Sequence, residues 1–282
     1  MARSSFRPLL LTLGLVVLVT SGAACKRKHI PVPSVSELGY PTCPASSASA
    51  AAPAGSGSVV SAVLLAQGDL RSGPNDTRSP IVERFRIERR DCLIVATIRQ
   101  EWPHQIADVE AVFDLDGSPL RVWRRWTNPL SRRPDGNADY KRFDFRTPFI
   151  TAKHQADSGI IDFEEIHGPR PKALIGSGHG LLTLWIQRAK LQVGQKLREP
   201  AFDFRGVEVS KDVTLMRHPD KNEKTLGRTV RVYTIYGREG VFTDENDVVV
   251  GDVAGLVPTE LSPLPLPRSM PVFGVIDPVG TP

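Results

Sequence analysis

Gly176-Ser177-Gly178-His179-Gly180 places a hydroxyl and an imidazole two residues apart in a glycine loop, directly before an apolar run. A loop of that kind leaves backbone N–H groups free at a helix start, where an anion could bind. A serine there could also act as a nucleophile with histidine as its base. The spacing argues against it. A nucleophile elbow has glycine two residues to either side of the serine, whereas Gly176 and Gly178 adjoin Ser177. The loop reads better as a strand-to-helix turn whose glycines relieve φ restrictions. A hydrolase using Ser177 and His179 is the least favoured reading.

Other candidates are weaker. Six histidines (His29, His104, His154, His167, His179 and His218) show no pair at metal-ligand spacing. His154 and His167 could meet across a hairpin, close to Glu164 and Glu165. Those two glutamates are strand neighbours pointing to opposite faces, so they cannot serve as a glycosidase pair. Asp244, Glu245, Asn246, Asp247 and Asp252 do not match a calcium loop and read as a solvated turn. Arg121, Trp123 and Arg125 share one strand face, with Arg124 and Trp126 on the other, and the reading is a solvated outer face. No catalytic residue, metal or cofactor is expected.

The cysteines carry chemistry of another kind. Arg3 and Arg7 precede the apolar run Leu9 to Val19, and Ser21, Gly22, Ala23 and Ala24 lead to Cys25. A charged start, about 7–15 apolar residues and a small-residue end form a secretory signal peptide. The run is too short for a bilayer span, which needs roughly 20 residues. Gly22-Ala23-Ala24-Cys25 resembles the lipobox of bacterial lipoproteins, with Gly22 where that family prefers Leu. The resemblance implies cleavage before Cys25 and at least two acyl chains on it, a stable anchor. Lys26, Arg27 and Lys28 would then sit at the headgroups, each worth about 1 kcal/mol against an anionic surface. Lys26 stands where an inner-membrane retention signal would have Asp, so the expected address is the outer membrane, facing the periplasm. Cys43 and Cys92 remain, in an oxidising compartment, and are expected to form a disulfide closing about 4 kcal/mol worth of loop entropy.

The 282 residues are 40% hydrophobic and 24% charged, with 24 Pro and 23 Gly, which excludes collagen, a toxin-like scaffold and a polytopic membrane protein. The formal charge is +5. Without Arg3 and Arg7 it becomes +3, too little to suggest nucleic acid. The expected division is signal peptide 1–24, acylated Cys and tether 25–58, core 59–256 and Pro-rich tail 257–282. From Pro41 to Ser58, 16 of 18 residues are Ala, Ser, Pro or Gly, so that stretch cannot offset its ordering entropy.

Period two dominates the core. Ile94, Ala96 and Ile98 alternate with Leu93, Val95 and Thr97. Val109 to Leu115 and Leu120 to Trp126 flank Asp116-Gly117, a hairpin signal. Phe149 to Ile166 reads as a second hairpin, and Thr229 to Tyr236 with Gly240 to Val250 as a third. Leu181, Leu182, Leu184, Trp185, Ile186 and Ala189 fit a helix burying one broad face, stopped by Gly194. The expected fold is mainly β: an antiparallel curved sheet or half-barrel with one short helix packed against it.

Asp114-Leu115-Asp116-Gly117-Ser118-Pro119-Leu120-Arg121-Val122 resembles a hairpin of uncharacterised bacterial periplasmic proteins. Leu181 to Arg188, Val193-Gly194-Gln195 and Arg198-Glu199-Pro200-Ala201-Phe202-Asp203 resemble the helix and Gly-Gln signature of the same group. Those proteins imply a curved β half-barrel, loosely like the LolA/LolB carriers, and transfer no catalytic residue. The functional expectation is a non-enzymatic envelope lipoprotein binding an apolar or lipid-like ligand, with Leu181, Leu182 and Trp185 lining the cavity. The alternative is a filled β core acting as a structural or interaction module.

Overall fold

The computed structural model describes residues 62–261 except 77, 79, 129–138, 146–148, 157–160, 177, 205–206 and 237–238, and not the side chains of 211 and 239. The signal peptide, Cys25, Cys43, the tether, Ser177 and the segment 262–282 lie outside the described residues.

Eight strands follow one another as an antiparallel meander: β1 (Val63–Ser72), β2 (Val82–Arg90), β3 (Leu93–Trp102), β4 (Gln105–Asp114), β5 (Pro119–Thr127), β6 (Asp139–Phe145), β7 (Phe149–Gln155) and β8 (Ile161–His167). Short strand β9 (Ala173–Ile175) leads into helix α1 (His179–Ala189). After it come β10 (Lys196–Asp203), β11 (Glu208–Glu223), β12 (Arg228–Ile235), β13 (Glu239–Thr243), β14 (Val249–Asp252) and β15 (Leu256–Pro258). β15 pairs with β1, completing a nine-stranded sheet, while β14 to β9 form a six-stranded one. The second sheet is antiparallel apart from its β9–β10 pair. The described residues are therefore mainly β with one α-helix, the class that the alternating pattern requires, divided between two sheets.

The alternation decides which side of the large sheet is covered. Phe85, Ile87, Ile94, Ala96, Ile98, Val109, Ala111 and Phe113 all point one way and join one continuous core with α1 and the second sheet. The β4–β5 turn is fixed by Asp114, whose Oδ1 accepts the Ser118 N–H at 2.8 Å, and by Gly117 at φ 75°.

Helix α1 lies between the sheets, against β1, β2 and β3 on one side and β9 and β14 on the other. Gly180 to Ile186 are buried without interruption. The helix is enclosed all round for two turns, whereas the sequence pattern suggested a single buried face. Its fit depends on Gly180, where a Cβ would stand 2.8 Å from the Cβ of Phe85. Thr183 Oγ1 accepts the Val249 N–H at 3.1 Å and ties α1 to β14. The helix ends at Lys190, left-handed at φ 47°, four residues before Gly194. β15 also carries ordered pairing past residue 256, into what the composition suggested was irregular tail.

Candidate functional site

His179 is the first residue of α1, and its two ring nitrogens meet two carboxylates from different sheets. Nδ1 lies 3.1 Å from Glu83 Oε2 on β2, and Nε2 lies 3.3 Å from Asp252 Oδ2 at the end of β14. The Glu83 side chain is fully buried. Its other oxygen accepts the His179 backbone N–H, and Gln100 Nε2 donates to Oε2 at 2.8 Å. Gly178, at the helix N-cap, has no side chain with which to satisfy the first turn. Glu83 supplies that acceptor from across the interface, where the positive end of the helix also favours an anion.

Asp252 is held as firmly. Its Oδ1 accepts the N–H groups of Ala254, Gly255 and Leu256 at 2.9–3.0 Å. Its Oδ2 takes Arg78 Nη1 at 2.9 Å, and Arg78 also binds Asp76. Burial alone would lower the His179 pKa. The Glu83 and Asp252 carboxylates reverse that and push it up to about 10, so the ring is an imidazolium at neutral pH. Burial alone would raise both carboxyls. The imidazolium and the hydrogen bonds bring them below their ordinary range.

The network borders a cleft of about 670 Å³, walled by apolar Ile81, Trp102, Leu182, Val241 and Leu256, with Arg78, Glu83, Gln100, His179 and Asp252 as its polar groups. Of the three residues expected to line a cavity, Leu182 reaches this cleft. Leu181 and Trp185 are packed into the core. Cys92 is disulfide-bonded.

The other sequence candidates separate. His154 and His167 stand at opposite ends of the β7–β8 pair, because His154 is in register with Asp162 and His167 with Phe149. The hairpin register thus keeps the two histidines apart. His154 instead binds Asp139 at 2.6 Å. Glu164 and Glu165 pair with Ala152 and Thr151, on opposite faces. Asp244 accepts the N–H groups of Asn246 and Val248, and Asp247 binds Tyr233 and Arg231. Among the described residues no cluster is arranged to hold a metal ion. Trp123, expected on a solvated face, is 2% exposed.

Glu83, Gln100 and Arg78 have no local signal that joins them to His179. Asp252, grouped by its sequence with a solvated acidic turn, is instead buried at the end of β14, because His179, Arg78 and three backbone N–H groups hold its carboxylate. One signal was present: Glu83 occupies an inward phase of β2, with Phe85 and Ile87.

The fold and site define a two-sheet, mainly β protein built around an enclosed helix and a buried carboxylate–imidazolium–carboxylate chain. No family model and no curated protein matches it. Among solved structures it is similar to a DUF1089 family protein from Pseudomonas aeruginosa at 14% identity. The alignment covers 64% of this chain and 93% of that one, with a TM-score of 0.37.

Proposed function

We propose that the protein is a non-enzymatic lipoprotein of the cell envelope, anchored through acylated Cys25, whose core binds a small, largely apolar ligand in the cleft beside α1. The observation carrying this reading is the cleft itself. At about 670 Å³ it falls in the usual range for small-molecule sites, with apolar walls and a few fixed polar groups. The polar groups orient and do not react: both ring nitrogens of His179 face carboxylates, and a ring already protonated is no general base for Ser177.

The packing of Leu181 and Trp185 supports the alternative, a filled core serving as an interaction module. Native mass spectrometry of the Cys25→Ser chain, purified gently from the periplasm, separates the two. An added mass that extracts into organic solvent, and is lost in Leu182→Phe, is the expected result. A clean apo mass in every preparation leaves the filled module. Turnover abolished by Ser177→Ala in a folded chain would restore the hydrolase.

A further inference from the structure

The nine-stranded sheet has a second face. Helix α1 and the six-stranded sheet both lie on the side of Phe85, Ile98 and Val109. The other side carries Leu93, Val95, Val112, Trp123 and Tyr140, brought together by the registers Val95↔Val112 and Arg125↔Tyr140. These residues are buried, Trp123 to 2% and Tyr140 to 1% exposure, yet they belong to neither hydrophobic cluster of the described residues. Trp123 and Tyr140 pack together at 5.7 Å, and the Trp123 Nε1 has no acceptor among the described residues. A groove of about 460 Å³ passes over Thr97, Glu110 and Trp123 between Arg84, Arg86, Arg99 and Arg125. Among the described residues no helix or second sheet covers this face.

Cys92 points to the occupant. It sits in the β2–β3 turn, at the Leu93–Val95 end of the face, and it is disulfide-bonded. The chain has only two other cysteines, both before residue 62. We infer that the outer face of the nine-stranded sheet is the docking surface of the N-terminal arm, residues 30–42, pinned at its end by a Cys43–Cys92 disulfide.

The chain geometry suits that bridge. Val63, where β1 begins, is in register with Arg89, so β1 starts close to the β2–β3 turn. The 19 residues from 44 to 62 could reach about 63 Å if extended, far more than the gap. The arm before Cys43 differs in kind. Ile30, Val32, Val35, Leu38 and Tyr40 alternate with polar residues and prolines. Proline favours extended conformations, and an extended apolar arm can lie across a sheet face. In the proposed lipoprotein the Cys25 sulfur is acylated, which leaves Cys43 as the partner.

Hydroxyl-radical footprinting read by peptide mass spectrometry tests the inference on the full chain. Trp123 and Tyr140 should be protected in the native chain and oxidised several-fold faster when 30–42 is replaced by Gly/Ser. Core Trp185 should stay protected in both, which certifies the fold. A milder variant, with Ile30, Val32, Val35, Leu38 and Tyr40 changed to Ser, should behave the same way. Non-reducing maps should link Cys43 to Cys92. Unchanged protection of Trp123 and Tyr140 overturns the proposal. So does protection lost only on removing 262–282, which would make the C-terminal segment the cover, or a Cys25–Cys92 link.

Discussion

At the scale of single residues, His179 is held charged by two buried carboxylates, and this fixes how stability depends on pH. Its folded pKa, about 10, lies above the ordinary 6.5, so its contribution is complete below about pH 6.5. From there to about 10 the unfolded chain releases a proton that the folded chain keeps, and stability falls. Glu83 and Asp252 are displaced the other way. Their contribution is present above their ordinary values of 4.5 and 3.8 and is lost as pH falls through the depressed ones. Urea midpoints measured across pH should therefore decline at both ends, and His179→Gln should remove the alkaline slope. That substitution leaves Glu83 buried without its counter-charge, at a cost of about 3–5 kcal/mol. Adding Glu83→Gln should return part of the loss. Additive effects of the two changes would mean that the pair is not coupled. The sequence pointed to the centre of this network but not to what that centre binds. His179 stood out in its glycine loop, while Glu83 and Asp252 lie 96 and 73 residues away in the chain and are joined to it only by the packing of the two sheets.

Elements were far more legible than site residues, because alternation is a local property and a tertiary contact is not. β3, β4, β5, β7, β8 and β12 all fall on stretches whose period and flanking turns announced them. The division into two sheets was not visible, since either side of an alternating strand can face a partner. Nor was the enclosure of α1, because the small residues Gly180 and Thr183, which let β2 and β14 approach it, look polar or neutral in a pattern. Gly180→Val tests that enclosure. Its side chain would run into Phe85 and Ile98, whose nearest atoms lie 2.8 and 3.1 Å from the first added carbon. Overpacking of this kind costs about 1–3 kcal/mol. Thermal unfolding should show that loss. A variant as stable as the parent would mean that α1 is free to shift between the sheets.

At the scale of the whole molecule, the proposed anchor and the inferred disulfide would together set how far the core stands from the bilayer. Between Cys25, the proposed acylation site, and β1 lie 37 residues, numbers 26 to 62, a span whose contour approaches about 120 Å. If residues 30–42 lie on the outer face, only 26–29 remain free, about 13 Å of chain, and three of those four are basic. The core would then sit against the headgroups with the outer face of its large sheet near the membrane. Two measurements follow in order. Cys25→Ser should move the protein from the membrane to the soluble fraction, and retention in the membrane would remove the anchor on which the rest depends. With the anchor established, neutron reflectometry of the lipidated protein on a supported bilayer reads the height of the core directly. Protein density should begin within about 15 Å of the headgroups and move outward when the disulfide is reduced and the apolar arm residues are changed to Ser. Density that starts far from the headgroups in the unaltered protein would instead describe a core at the end of a free leash. The cleft beside α1 would then have to meet the proposed ligand away from the bilayer.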